Sequence, residues 1–387
     1  MMRPEALPLL GMALLGASQM LGSSYSAAQH PLGRLADDGD VDIVYGSEFR
    51  GLTTYANVPY VNCLSDDAAE KSKYDIAILG APFDTGVTAR PGARYGPQGI
   101  RVGSQRKSAD TGWSVYSGKN ALKSWATVVD CGDVPLTVLD NDYALAQLTK
   151  GHKIVSGRPA ANKTHATTPR IIMLGGDHTT TLPALRAVHK NWGQVSVIHF
   201  DSHIDTWRPS VLSGGISDYA GLNHGTFLHI AHEEGLIKDN SVHVGIRGPL
   251  IRPKGDVRND DRCGFARITA RDLDRYGVSG LLYRIRERVG AGPVYISVDI
   301  DVLDPAFAPA TGTPEPGGWS TRELLSILDG LTGLEVVGAD VVEVAPAYDS
   351  RGETTALAAA EVVWSLLELM VETPPSVVAE SSSSLLP

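Results

Sequence analysis

Apolar residues in this chain gather in short runs of two kinds. The first kind is nearly continuous: Tyr74–Leu79, Thr127–Asp130, the stretches beginning at Ile171, Val195 and Val294, Val242–Ile246 and Glu335–Val344. Continuous runs of that length fit strands buried on both faces. The second kind recurs every three to four positions, as on one face of a helix. It runs from Gln98, through Leu139–Val155, Thr181–Asn191 and Phe227–Glu234, within Arg271–Val289, and through Thr321–Leu331 and Thr354–Val371. Pro97 suits a first helical position. The two kinds alternate, which predicts an α/β fold whose central, mostly parallel sheet is covered on both faces. Between the runs, the glycines and prolines of Gly80–Gly86 and Arg90–Pro97 predict an ordered loop. Ser156–Thr168 reads as a polar surface insertion, and Ser210–Asn223 as a loop over the end of the sheet.

Three of the strand-like runs end in charged residues. Val197-Ile198-His199-Phe200 leads to Asp201, His203 and Asp205, spaced two apart. On an extended backbone such residues share a face. The Val294 run ends in Asp299 and Asp301, and the Ile171 run in Gly175-Gly176-Asp177-His178. In parallel sheets ligands bind beyond the carboxyl ends of the strands. One Asp-x-Asp is most simply a helix cap or a closed turn, but three such motifs at strand ends argue for a shared cation. Four crowded carboxylates would repel one another, and two divalent cations balance their charge. Oxygen-rich ligation with one imidazole per ion favours Mn²⁺ over a thiolate-type zinc site. Two such ions flanking a water supply a nucleophile near neutral pH.

These motifs carry a resemblance. Gly175-Gly176-Asp177-His178, Asp201-Ser202-His203-Ile204-Asp205 and Ser297-Val298-Asp299-Ile300-Asp301-Val302-Leu303-Asp304-Pro305 are similar to the signatures of the ureohydrolases, the family of arginases and agmatinases. The resemblance extends from Tyr74 to Val371. It implies a three-layer αβα sandwich, a dinuclear Mn²⁺ centre with two ions per subunit, hydrolysis of a guanidino group to urea, and a homotrimer or homohexamer. Carried over residue by residue, it makes His178, Asp201, His203, Asp205, Asp299 and Asp301 the metal ligands. Asp205, His224 and Glu343 become the catalytic set: Asp205 moves a proton, His224 shuttles one, and Glu343 holds the guanidinium. His199 is held as an outer partner or an ordinary core histidine, Asp304 as a turn former. His189, His229, His232 and His243 are read as having no part in the site. Ser202, Thr179 and Ala310 depart from the common pattern without removing a ligand.

The substrate is read from smaller features. The arginase pattern for the α-amino acid end is absent, since Thr206-Trp207 follow Asp205 and the loop contains Gly214-Gly215-Ile216-Ser217-Asp218-Tyr219. Arg90–Pro97, His224-Gly225-Thr226 and Pro346-Ala347-Tyr348-Asp349 are similar to agmatinases. Agmatine, giving putrescine and urea, is therefore expected. The alternatives are a guanidinobutyrate or guanidinopropionate hydrolase, a deacetylase-like zinc amide hydrolase and an inactive metal-binding scaffold.

Composition adds boundaries. The chain has 387 residues, is 43% hydrophobic and carries a net charge of -10. That favours a small cationic substrate over nucleic acid. Its cysteines, Cys63, Cys131 and Cys263, allow at most one bridge. Arg3, the apolar stretch Ala6–Leu21 and Ser26-Ala27-Ala28 have the layout of a secretory signal peptide over 1–28. This places the protein in the secretory pathway or outside the cell, with cytoplasm or mitochondrion as alternatives. An arm (29–72), the ureohydrolase catalytic domain (73–372) and a disordered tail (373–387) follow. Past the leader no apolar run reaches the roughly 18 residues that would span a membrane. Asn162-Lys163-Thr164 is an N-glycosylation sequon.

Overall fold

The computed structural model describes residues 52–213, 215–217 and 219–375. The expected leader, the first part of the arm and the end of the tail lie outside them.

In chain order the elements are α1 (Asp66–Lys71), β1 (Ile76–Ala81), α2 (Gly96–Gly103), β2 (Val128–Asp133), α3 (Asn141–Ser156) and β3 (Arg170–Gly175). Then come α4 (Thr181–Trp192), β4 (Ser196–Phe200), α5 (Pro209–Leu212), α6 (Phe227–Glu233), β5 (Ser241–Ile246) and α7 (Pro253–Arg262). The chain closes with β6 (Phe265–Thr269), α8 (Asp272–Val289), β7 (Pro293–Asp299), α9 (Thr321–Asp329), β8 (Glu335–Val342) and α10 (Thr354–Glu372). The strands form one 8-stranded sheet in the order β2-β1-β3-β8-β7-β4-β5-β6. Every pairing in it is parallel.

Alternation along the strands builds two cores. Ile76, Ile78, Ile172, Leu174, Ile198 and Phe200 point to one face, where they meet Ile100 of α2 and the apolar sides of α8, α9 and α10. Ala77, Leu79, Met173 and Val197 point to the other, against α3, α4 and α6. Sheet and two helical layers make the expected αβα sandwich. α10 is as long and apolar as a membrane-crossing helix, but most of it is buried against the sheet and the neighbouring helices.

Four elements went unpredicted for physical reasons. The helix α5, a single turn at the start of the stretch read as a loop, buries no side chain. The inward side of α7 is polar, formed by Asp256, Asn259 and Asp260, so no apolar stripe marks it. β6 is an edge strand interrupted by Arg267. The short α1 buries only Ala69.

The described part of the arm is tied to the body. Tyr55 is fully buried. Its hydroxyl donates to the Ala360 carbonyl (2.8 Å) and its N–H to Asp130 Oδ2 (2.8 Å). A Cys63–Cys131 disulfide clips the arm to β2, while Cys263 is buried and free. The bond spans 68 residues, and a loop of that size is worth about 4 kcal/mol in the chain-entropy account.

The order of the sheet matters most for function. β3, β8, β7 and β4 stand side by side at its centre. The charged motifs that follow these strands are distant in sequence, yet they emerge next to one another at the carboxyl edge.

Candidate metal centre and active site

One local device recurs at three of these strand ends. Asp177 Oδ1 accepts the N–H of Thr179 (2.9 Å), Asp201 Oδ1 that of His203 (2.5 Å), and Asp299 Oδ1 that of Asp301 (2.8 Å). An aspartate bonding the backbone two residues on closes a tight turn. For Asp201 and Asp299 the turn occupies one oxygen and leaves Oδ2 to face inward. The plain reading, turn-forming aspartates, and the chemical one, ligands, are therefore both true of the same residues. One expectation needs correcting. β4 ends at Phe200, so strand alternation alone does not gather Asp201, His203 and Asp205. The turn does so, with Asp205 at φ 50, a left-handed conformation that aspartate tolerates.

The predicted ligands come together. His178 Nδ1 lies 3.1 Å from Asp201 Oδ2, 3.2 Å from Asp205 Oδ2 and 3.3 Å from Asp299 Oδ2. His203 Nδ1 lies 3.1 Å from Asp301 Oδ2 and 3.4 Å from Asp201 Oδ1. Among the described residues, two ligand sets capable of holding an ion result: His178, His199, Asp201 and Asp205, and Asp201, His203 and Asp301. They share Asp201, which offers a different oxygen to each histidine. His178 Nδ1, His199 Nε2 and Asp201 Oδ2 are buried without a hydrogen-bond partner. Close approach without hydrogen-bond geometry is how donor atoms around a common cation are arranged. The residues therefore fit a pair of divalent ions.

Electrostatics agree. Burial, then Asp301 and Asp201, push the Asp299 carboxyl well above its ordinary range. Burial and Asp201 push Asp205 up to about 6. Burial also opposes charge on His178 and His203, but the surrounding carboxylates outweigh it and raise both well above the usual imidazole range. Protons thus take the place that cations would hold.

The imidazole of His178 is fixed from behind. Ser297 Oγ donates to Asp340 Oδ1 (2.6 Å), so it accepts from His178 Nε2–H (2.8 Å). That tautomer leaves the Nδ1 lone pair facing the carboxylates. Thr181 and Tyr295 hydroxyls hold Asp340 Oδ2 at 2.8 and 2.7 Å. His199 is fixed in a similar way. Asp260 takes hydrogen bonds from Arg267 and from Thr206 Oγ1 (2.7 Å). It therefore accepts from His243 Nε2–H (2.9 Å), and His243 Nδ1 in turn accepts from His199 Nδ1–H (2.8 Å). His199 Nε2 is thereby directed at Asp201 Oδ2, 3.1 Å away. The sequence assigned no role to Ser297, Asp340 or Asp260 and gave His243 an ordinary one. Their only signal is a polar residue inside an apolar strand (Ser297, Asp340, His243) or on a polar helix (Asp260).

Glu343, just past β8, stands at φ 61, uncommon for glutamate. Its N–H bonds the Gly176 carbonyl (2.8 Å). Oε1 accepts the His178 N–H (2.9 Å) and faces His224 Nδ1 (3.1 Å). Oε2 is buried and unpartnered. A Cβ at Gly312 would stand 3.3 Å from that oxygen and 3.1 Å from the Arg90 carbonyl. Glycine keeps open a slot between two acceptors, which suits a planar, multiply donating cation. His224 Nε2 accepts the Thr88 N–H (3.1 Å). Burial lowers the pKa of His224, but Glu343 reverses this and lifts it to about 9. Asp304 shapes a turn, accepting from the N–H groups of Ala306, Gly317 and Gly318.

Known proteins resemble this chain in sequence and in fold. The Arginase family model matches residues 74–368. "Putative agmatinase 1" of Schizosaccharomyces pombe is 49% identical over 345 residues, covering 87% of this chain and 86% of that protein. The agmatinase of Neisseria meningitidis serogroup C is 37% identical, over 77% of this chain and 88% of its own. The structure of proclavaminate amidino hydrolase from Streptomyces clavuligerus superposes with a TM-score of 0.73 at 34% identity, covering 85% of this chain and all of that one. The extent of these matches, in sequence and in fold, shows that the chain belongs to the arginase family.

Proposed function

We propose that the protein is a ureohydrolase that cleaves agmatine to putrescine and urea, with two Mn²⁺ ions per subunit. The carrying observation is the unpartnered Oε2 of Glu343, placed beside a buried set of carboxylates and imidazoles. The agmatinase names of relatives at 37–49% identity support the substrate. Mn²⁺ is supported by donors that are carboxylates and imidazoles, with thiolates absent from both ligand sets.

When bound, the ions supply Lewis acidity and an activated water; the side chains do the rest. His178, Asp201, Asp205 and Asp299 would hold one ion, and Asp201, His203, Asp299 and Asp301 the other. Glu343 Oε2 and the Arg90 carbonyl receive the guanidinium N–H groups and fix its plane, which brings the central carbon into line for attack. Asp205 receives the proton of the attacking water and passes it to the leaving nitrogen. His224 connects this space to the outside through Thr88 and exchanges the proton with solvent.

The test is urea release by Mn²⁺-loaded protein on agmatine, 4-guanidinobutyrate and arginine side by side. Dominant turnover of agmatine supports the proposal. Turnover of the carboxylate-bearing compound alone keeps the chemistry and sinks the substrate. Metal analysis of the same sample should find two Mn²⁺ per chain, and sedimentation should find the trimer or hexamer that the resemblance suggests.

A further inference from the structure

Asn162-Lys163-Thr164 is the only Asn-x-Ser/Thr tripeptide in the sequence. It lies between α3 and β3, with Ala161, Lys163 and Thr164 exposed. Asn162 Oδ1 accepts the Thr164 N–H (3.2 Å) and the Thr164 hydroxyl (2.6 Å). This turn uses the amide oxygen, while no protein acceptor among the described residues takes the Asn162 Nδ2. The acceptor nitrogen is therefore held next to its own threonine on an open turn.

The turn is also fixed in place. The Asn162 N–H donates to Asp75 Oδ1 (2.7 Å), and the Ala161 N–H to the Tyr74 carbonyl (3.2 Å). His165 stacks on Trp125 with ring centroids 4.6 Å apart. Tyr74 and Asp75 immediately precede β1, so Asn162 stands at the amino edge of the sheet. The metal centre is at the carboxyl edge. A bulky group on Asn162 leaves the mouth of the active site clear.

A separate observation points the same way. Cys63 and Cys131 are joined, and structural disulfides persist in oxidising compartments, where sequons are also modified. We propose that Asn162 is an N-glycosylation site, occupied as the chain passes through an oxidising secretory compartment. The donor is an oligosaccharide linked to a lipid pyrophosphate. Asn162 Nδ2 forms a C–N bond to the anomeric carbon and loses one proton. The carbon–oxygen bond to phosphate breaks, and the pyrophosphate leaves with the electron pair.

The experiment uses the full chain, leader included, secreted from a yeast host. Intact mass and peptide mapping are read before and after peptide N-glycosidase treatment in heavy-oxygen water. The expected result is a glycan mass that is removed, with residue 162 then read as a heavy-oxygen aspartate. Asn162→Asp and Thr164→Ala should lack the glycan, and Thr164→Ser should keep it. Asn162→Asp retains the Oδ1 that closes the turn, so loss of the sugar in that variant is not loss of the fold, and its urea release should match the parent. Exported protein whose Asn162 peptide carries no sugar overturns the proposal. So does a chain retained in the cytosol with Cys63 and Cys131 as free thiols.

Discussion

His178 and His203 each bring one imidazole to the shared carboxylates, yet their surroundings differ. His178 is fully buried. Its far nitrogen is committed to Ser297, and Ser297 to Asp340. The His203 side chain is 15% exposed, and its far nitrogen stops 3.6 Å from Glu315, beyond hydrogen-bond reach. The difference teaches that the centre has a rigid half and a looser one. A ligand whose tautomer and ring orientation are set beforehand loses less entropy on binding its ion. The ion at His178 should therefore bind first and leave last.

The largest effect should come from removing the rigid half. His178→Ala should abolish high-affinity binding at its own position and lower urea release by more than the ~100-fold upper end expected for loss of an outer partner. His203→Ala should still bind one ion per chain. Metal counting after dialysis separates the two variants, and equal retention in both would break the comparison.

Next is the support itself. Ser297→Ala removes the acceptor that holds His178 in its tautomer. It should weaken the first ion by about 10–100-fold and leave the second nearly unchanged. Ser297→Thr, which keeps the hydroxyl, should recover most of the loss. Titration of metal-free protein with Mn²⁺, followed by calorimetry, reads both affinities.

A third test uses pH. Burial lowers the pKa of His224, but Glu343 lifts it from 6.5 to about 9. A raised pKa means that the folded state holds the proton more tightly than the unfolded one. The resulting stability is complete below about pH 6.5 and lost as pH climbs through about 9. The melting temperature of metal-free protein should fall between those limits, and His224→Asn should flatten the fall. Bound metal should counter it, because cations compete with the protons held at His178 and His203. A melting temperature that rises with pH in the metal-free protein would contradict the assignment.

The smallest effect belongs to the looser half. Ser202 Oγ donates to Asp301 Oδ1 at 2.8 Å, and the Ser202 N–H reaches the same oxygen at 3.0 Å. Ser202→Ala removes one of two bonds, worth about 1 kcal/mol. It should weaken the second ion a few-fold and leave the first alone. An effect on the His178 side would show that the halves are coupled more strongly than their surroundings suggest.

The fold was largely legible because its cues are local. Continuous apolar runs marked β1, β3, β4, β5, β7 and β8, and helical spacing marked α3, α4, α8, α9 and α10. Where no apolar periodicity exists, as in α7 with its buried Asp256, Asn259 and Asp260, nothing could be read. The site was legible to the same depth. Aspartates and histidines at strand ends stood out against apolar surroundings, so His178, Asp201, His203, Asp205, Asp299 and Asp301 could be named in advance as candidates, and the structure brings them together. Glu343 and His224 came only through resemblance, since a single carboxylate or imidazole carries no pattern.

The sequence by itself determined which residues could bind cations, and that they would sit at the ends of strands in a parallel sheet. Both follow from residue type and spacing within a few positions. Only the tertiary structure decided how those residues are held. His178 owes its tautomer to Ser297, 119 positions away, and His199 is aimed by His243, 44 positions away. The strand order that places β8 between β3 and β7 brings Glu343 against His178 and His224. Hydrogen bonds of this kind depend on which strands become neighbours, and neighbourhood in a sheet is settled by packing of the whole chain rather than by any short stretch of it.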